Sequence, residues 1–453
     1  MRRFPPVSPL AAFAMASIMA VMWSAPHTAN AQPAQQAYVK AGNPQNQAQF
    51  GRAVAISGNT MVVGANQEGT GAAKSGAAYV FVRTGDTWTQ QAFLKADNAQ
   101  LNDEFGISVA ISGDTIVVGA WNEDGNDVDN SAYNSGAAYV FTRSGTTWTQ
   151  QAYLKQTYPG QDDSFGVSVG ISGETIVVGA SDEDSNAVGV NGDQNNDGRP
   201  RTGAAYVFTR TGTTWSQQAF LKASNPDTND YFGTAVAIAS NTIVVGAPFE
   251  SSAAVAANGN QADNSLNKAG AAYVFKRTSG VWTQQAYLKA NNTGAEDVFG
   301  TSVAVYSGPT GLETVVVGAP GEASNATIPG GNGANNSAPG AGAVYVFRPA
   351  VPYWVLQAYL KASNAEANDS FGSAVAVSVD AVAVGAPREY SNATGINGNQ
   401  ANNSNFFTGA VYLFSRAGTL WGQQAYVKAS NSNAADEFGD RLAMSGARWW
   451  WVP

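Results

Sequence analysis

The chain has 453 residues, no cysteine and a formal net charge of −9, and 13% of its residues are charged. The absence of cysteine excludes disulfides, thiolate metal sites and lipidated cysteines. The acidic balance argues against nucleic acid and anionic lipid as partners, because both carry negative charge. Abundant glycine (49 residues) together with few charges is typical of short strands joined by many turns.

Residues 1–31 have the pattern of a secretory signal peptide. Two arginines precede the apolar run "LAAFAMASIMAVMW", and Ala29, Asn30 and Ala31 form a small-x-small cleavage site. The run is too short for a comfortable membrane span, and no later stretch qualifies. We therefore expect cleavage near Ala31, a short linker at 32–36, an extracellular or periplasmic location and no membrane span.

Cleavage there removes the only histidine, His27, and leaves 22 basic and 33 acidic residues, a net charge of −11. A mature chain with neither His nor Cys lacks the usual general base and the usual nucleophile–base pairs. An enzyme built on this chain would depend on carboxylate, lysine or tyrosine chemistry.

From residue 37 to residue 453 the chain is a tandem repeat. One copy reads "DEFGISVAISGDTIVVGA", then a polar loop, then "GAAYVFTRSGTTWTQQAYLK". Its four β-branched or aromatic segments are separated by Gly-containing turns, so each copy is interpreted as four strands. A period of this size with four strands predicts the blades of a β-propeller. The repeats begin near residues 50, 105, 165, 232, 299, 371 and 438.

The count of segments predicts an all-β, seven-bladed β-propeller of four-stranded blades. Seven segments begin with Phe-Gly and seven end in Lys, whereas only six have the "YVF" type. The first Lys segment, at 37–40, precedes every Phe-Gly. We expect it to complete the truncated last blade in part, because ring closure removes exposed sheet edges.

The last repeat departs from the pattern after Gly446. The pattern predicts "DTVVVGA", but the sequence reads "ARWWWVP" at 447–453. Deleting one base from codons for the expected residues gives the observed ones, so the three tryptophans are interpreted as an out-of-frame valine run. Resequencing the gene tests this hypothesis.

The recurring Phe-Gly starts and the Gly-Ala-Pro ends at Pro248, Pro320 and Pro387 resemble the FG-GAP repeat family, which includes the integrin α-subunit propeller and secreted bacterial relatives. The resemblance covers about 37–453. It implies a propeller used in adhesion or ligand binding, often stabilised by calcium.

The calcium loops of the integrin type are missing here, because the first two strands of each repeat are joined by a tight turn such as "SGDT". The closest substitute is "DQNNDG", with Asp193, Asn195 and Asp197 at alternate positions. Arg201 stands where a carboxylate should close such a loop. Calcium at this loop is a possible cofactor.

The long loops between the second and third strands all lie on one face of an up-and-down propeller. Loops on a rigid scaffold are where binding usually resides, although these could also be solvated spacers. The candidate ligand-binding positions are Trp121, Asp127, Asp129, Asn191, Asn260, Gly398 and Phe407.

Two acidic positions recur on the same face and are interpreted as structural, because a catalytic carboxylate pair is expected once and not in every repeat. They can accept backbone N–H bonds in turns or pair with the strand-end lysines. The glutamates are Glu68, Glu123, Glu183, Glu250, Glu322 and Glu389. The aspartates are Asp103, Asp163, Asp230, Asp297, Asp369 and Asp436.

The sequence therefore predicts a secreted, non-catalytic propeller that binds a protein, a glycan or a surface through its long loops. A carboxylate-based hydrolase or lyase and a purely structural envelope or matrix protein remain open as alternatives. A single non-repeating cluster of Asp, Glu, Tyr or Arg at the channel mouth would favour the enzyme.

Overall fold

The first two strands of each repeat are runs of Val, Ile and Ala, and they pair into hairpins because β-branched side chains suit a pleated, buried surface. The computed structural model describes residues 35–125, 132–308, 312–351, 353–445 and 448–451. None of these residues forms a helix long and apolar enough to cross a lipid bilayer.

Six antiparallel, four-stranded sheets form the blades, each with its strands in sequence order. Blade one consists of β1 (Ala53–Ser57), β2 (Thr60–Ala65), β3 (Ala77–Thr84) and β4 (Thr87–Leu94). Blades two and three are β5 (Ser108–Ser112), β6 (Thr115–Ala120), β7 (Ala137–Ser144), β8 (Thr147–Leu154), β9 (Phe165–Ser172), β10 (Thr175–Ala180), β11 (Ala204–Thr211) and β12 (Thr214–Leu221). Blades four and five are β13 (Ala235–Ala239), β14 (Thr242–Ala247), β15 (Ala271–Thr278), β16 (Val281–Leu288), β17 (Ser302–Ser307), β18 (Glu313–Ala319), β19 (Ala343–Ala350) and β20 (Tyr353–Leu360). Blade six is β21 (Ala374–Ser378), β22 (Ala381–Ala386), β23 (Ala410–Ala417) and β24 (Leu420–Val427), and the hairpin β25 (Leu442–Ser445) and β26 (Arg448–Trp451) follows it.

The prediction of seven blades is wrong, because the described chain forms six four-stranded blades. The seventh repeat supplies only the two-stranded hairpin β25–β26, which contacts β21 of blade six and β1 of blade one. Residues 37–40, expected as a completing strand, belong to no strand. Residues 37–40 form no strand because the fourth strand of a blade pairs with the third, and the described residues include no third strand beside β26.

Neighbouring blades approach each other closely at small residues. A Cβ on Gly64 of blade one would lie 2.0 Å from the carbonyl oxygen of Gly106 in blade two. The Phe105 ring of the Phe-Gly pair is fully buried and packs edge-on against Tyr139 and Phe141, with centroids 5.3 and 5.9 Å away. The Phe-Gly phenylalanine is thus a core residue of its own blade.

The outer strands are tied together by a glutamine at a β-bulge. The register of β3 and β4 shifts by one residue at Gln91, which leaves this residue outside the regular ladder. Its side chain turns to blade two, where the indole N–H of Trp148 donates to Gln91 Oε1 at 2.9 Å. The recurring tryptophan therefore joins consecutive blades.

Backbone hydrogen bonds also join consecutive repeats ahead of the Phe-Gly pairs from Phe105 to Phe438. Between blades four and five, the Val298 and Phe299 N–H groups donate to the carbonyl oxygens of Lys268 and Ala269 at 3.0 and 3.1 Å. This path forces a positive φ of 49° on Val298. A β-branched residue is strained in that region, whereas asparagine tolerates it.

Val298→Asn is therefore expected to stabilise the protein by about 1 kcal/mol, because it relieves backbone strain and keeps the N–H donor. The urea midpoint measures this change. Val281→Asn, at an exposed strand position without a positive φ, is the control and should give no gain. An unchanged or lower midpoint for Val298→Asn would contradict the assignment of strain.

Candidate functional site

The long loops of all six blades lie at the same end of their sheets. In an antiparallel sheet in sequence order, the second strand ends where the third begins, where the fourth ends and where the next blade starts. We call this end the loop face. In the described part of the chain, the loops that form it are residues 66–76, 121–125 and 132–136, 181–203, 248–270, 320–342 and 387–409.

The recurring glutamate on the loop face is buried and pairs with the lysine at the end of the fourth strand. In blade four, Glu250 is 1% exposed and accepts hydrogen bonds from Lys289 Nζ at 3.0 Å, the Tyr287 hydroxyl at 2.8 Å and Asn225 Nδ2 at 3.1 Å. Burial lowers the pKa of the Lys289 ammonium. The same pair occurs as Lys95–Glu68, Lys155–Glu123, Lys222–Glu183, Lys361–Glu322 and Lys428–Glu389.

The recurring aspartate closes the turn between the fourth strand and the next Phe-Gly pair. Asp230 Oδ2 accepts the backbone N–H of Asp227 at 2.8 Å. Burial raises the pKa of the Asp230 carboxyl to about 8. A carboxyl with a raised pKa could act as a general acid, but the same turn bond recurs at Asp103, Asp163, Asp297, Asp369 and Asp436. This repetition assigns the aspartates to the architecture.

Trp121 lies at the junction of blades one and two and is half-buried. Its indole N–H donates to Glu104 Oε2 at 2.9 Å, and the same oxygen accepts Asn66 Nδ2 at 2.8 Å. The Glu104 carboxylate therefore links Trp121 in the loop of blade two to Asn66 in the loop of blade one. Asp127 and Asp129, predicted with it, lie outside the described residues.

The other loop candidates make contacts within the chain. Asn191 exchanges two hydrogen bonds with Phe220 at the edge of β12, at 2.8 and 2.9 Å. Asn260 Oδ1 accepts the N–H of Ala262 at 3.1 Å. A Cβ on Gly398 would lie 2.9 Å from that of Ala393. These contacts order the loops, and a role of these positions in ligand binding stays a prediction.

The residues of the predicted calcium loop do not fit that ion. Asp193 Oδ1 accepts the Asn195 N–H at 3.0 Å, which is a local turn bond. Arg201 places its guanidinium 3.7 Å from Asp182. Among the described residues no group of three or more His, Asp or Glu side chains could hold a metal ion. Calcium prefers six to eight oxygen ligands, so Asp193, Asn195 and Asp197 alone are too few.

Blade six carries an aromatic group on its long loop. The rings of Phe406 and Phe407 are stacked with centroids 3.8 Å apart, and Tyr390 packs edge-on against Phe407 at 5.4 Å. The Arg388 guanidinium lies 5.6 Å from the Phe407 ring centroid. Phe406 remains 54% exposed. We call these four residues the blade-six cluster.

The stacked pair Phe406 and Phe407 is particular to blade six, whereas blade four repeats the cation–aromatic contact with the partners exchanged, because Lys268 Nζ lies 5.0 Å from the ring centroid of Phe249. Phe407 has φ +49°, and every other blade has a residue with positive φ at the same point before the third strand. None of these is aromatic: they are Lys74, Asn134, Arg201, Lys268 and Gly340. Of the cluster, the sequence singled out Phe407 alone; an alignment of the loop ends would have shown the Phe406–Phe407 pair.

A family model described as FG-GAP repeat matches the chain six times. A comparison with curated proteins found no significant match. The matched segments are residues 33–81, 88–141, 148–208, 215–275, 282–347 and 354–414. They cover most of the chain and recur with the blades, and on that basis the protein belongs to the FG-GAP repeat family.

Proposed function

We propose that this propeller is an exported, non-catalytic binding protein of the adhesion type, and that it contacts its partner through the loop face. The blade-six cluster anchors the partner. Export is supported by the signal-peptide pattern at 1–31, and a binding function is consistent with the FG-GAP propeller.

The observation that carries the proposal is an exposed aromatic ring that the architecture does not need. Buried rings recur in every blade and hold it together, whereas Phe406 is 54% exposed and stacks on a second ring, Phe407. Tyr133, at the equivalent position of blade two, is 57% exposed, but Asn134 and not an aromatic residue follows it. Aromatic side chains and arginine dominate the binding energy of protein interfaces. Stacked rings also offer an apolar face to a sugar or protein side chain, and Arg388 adds donors beside them.

The mature chain, residues 32–453, is to be screened against a glycan array and a panel of immobilised matrix proteins that includes collagen and fibronectin. For any ligand found, Phe406→Ser is expected to weaken binding about tenfold or more, because hot-spot residues contribute upwards of about 1.4 kcal/mol. Leu420→Ser is the matched control, because Leu420 is 77% exposed at the opposite end of the same blade.

Equal affinity of wild type and Phe406→Ser would contradict the role of the blade-six cluster. Binding to neither panel would contradict the adhesion function and favour a purely structural protein.

A further inference from the structure

The sheet between blade six and blade one has only two strands, β25 and β26. They lie where the first and second strands lie in a complete blade. Ser445 at the end of β25 accepts the N–H of Gly58 at 3.0 Å. In the same way Ser57 at the end of β1 accepts the N–H of Gly113 at 3.1 Å. The β25–β26 hairpin therefore contacts blade one through the same serine–glycine hydrogen bond that joins blade one to blade two.

The N-terminal segment 35–42 lies where a fourth strand lies in the blades. Its Gly42 N–H donates to Gln90 Oε1 of blade one at 2.8 Å, as the Asp97 N–H after β4 donates to Gln150 Oε1 of blade two at 3.2 Å. At its other end, Gln35 Oε1 accepts the Ser430 N–H of blade six at 3.2 Å. These bonds fix the segment between the two blades.

The side chains of this segment are exposed where their counterparts in the blades are covered. Tyr38 is 48% exposed, whereas Tyr287 and Tyr426 at the equivalent positions of blades four and six are fully buried. In blade four the cover comes from the third strand, because Tyr273 of β15 pairs with Tyr287 and packs its ring 5.4 Å away. Tyr38 thus presents the surface on which a third-strand tyrosine packs.

The hydrogen-bond acceptor for a third-strand tyrosine is also present beside segment 35–42. The third-strand tyrosine of a blade donates its hydroxyl to an asparagine of the preceding blade, as in Tyr273–Asn225 at 2.7 Å and Tyr412–Asn364 at 2.6 Å. The asparagine that follows blade six at the equivalent position is Asn431. Its side chain is exposed.

We propose that the place between β26 and segment 35–42 is an acceptor site for a single extended peptide segment with the third-strand pattern Gly-Ala-Val-Tyr-Leu-Phe. The backbone of the peptide adds to the outer edge of β26, which pairs with β25 alone among the described strands. Its tyrosine packs on Tyr38 and donates to Asn431. The site includes no residue of the blade-six cluster, so its test is independent of the proposed function.

The probe is a dye-labelled synthetic peptide that copies residues 409–416, GAVYLFSR, with two added lysines for solubility. Fluorescence anisotropy with the mature chain is expected to show saturable binding, and saturating peptide is expected to raise Tm by about 2 °C or more. Asn431→Ala in the protein should weaken binding about fivefold, because one hydrogen bond is lost.

Two controls make the test specific. A peptide with serine at the position copied from Tyr412 should bind at least about tenfold more weakly, because it loses both the ring contact and the hydroxyl. Tyr353→Ser, which removes an exposed tyrosine at the opposite end of blade five, should leave the affinity unchanged. Equal affinity for both peptides, no binding at millimolar protein, or dimerisation of the chain without peptide binding would each overturn the proposal.

Discussion

Lys289→Met is expected to destabilise the protein by about 3–5 kcal/mol, because it leaves the carboxylate of Glu250 buried without its cation. Glu250 is 1% exposed, so water cannot replace the lost ammonium group. Urea unfolding followed by circular dichroism measures the loss.

The matched control is Lys268→Met, which breaks the exposed Lys268–Glu296 pair and should cost about 1 kcal/mol or less. The double variant Lys289→Met/Glu250→Leu should recover part of the lost stability, because it removes both buried charges. Similar losses for Lys289→Met and Lys268→Met would contradict the structural importance of the buried pairs.

The second prediction is that the free energy of unfolding falls as the pH rises from about 5 to about 8. Burial raises the pKa of the Asp230 carboxyl from 3.8 to about 8. In the window between these values the folded state holds a proton that the unfolded state has released, so raising the pH favours unfolding. Each such carboxyl contributes a slope of up to about 1.4 kcal/mol per pH unit. Burial raises the pKa of Asp103 and Asp297 to about 6, of Asp163 to about 7 and of Asp369 to about 8.

Asp230→Asn isolates one of these groups, because the amide oxygen can still accept the Asp227 N–H but cannot ionise. The variant should lose less stability than wild type between pH 5 and pH 8, as thermal unfolding measures. Asp227→Asn, at a side chain 42% exposed in the same turn, should keep the slope of the wild type. The buried lysines contribute a slope of the opposite sign, because burial lowers their pKa. Between the lowered pKa and the unfolded pKa, the unfolded state holds the extra proton, so raising the pH favours folding. A stability that is flat or rises over this range would refute the prediction.

Local patterns in the sequence were enough to predict the β-strands and the propeller. Val-rich segments and Gly turns recur in register, and each copy forms the same antiparallel sheet because the same side chains meet the same neighbours. The spacing of Phe105 and Trp148 likewise indicated packing residues, and both lie in the blade cores or between blades.

The number of blades required more than a count of segments. Counting predicted seven, but a blade needs its third strand, and the last repeat provides only β25 and β26. The count also predicted a strand at residues 37–40, but these residues belong to no strand. A strand requires a hydrogen-bonded partner, and the third strand that would pair with this segment is absent among the described residues.

The blade-six cluster was the least predictable part of the site. Arg388 and Phe407 lie 19 positions apart in the sequence, and only the fold of the long loop brings the guanidinium to within 5.6 Å of the ring centroid. The polar loop positions Asn191 and Asn260 were predicted from composition, but the structure bonds Asn191 to the edge of β12 and Asn260 within its own loop.

The central proposal is that repeated side chains hold the blades together and that the blade-six cluster recognises the partner. The most direct test is the affinity of two folded variants, Lys222→Met and Phe406→Ser, for the ligand found in the panel screen. Lys222 Nζ is buried and donates to Glu183 at 2.6 Å in blade three, so its loss should lower stability and leave affinity unchanged. Phe406→Ser should bind about tenfold more weakly at unchanged stability. Full affinity in Phe406→Ser together with lost affinity in folded Lys222→Met would contradict the account.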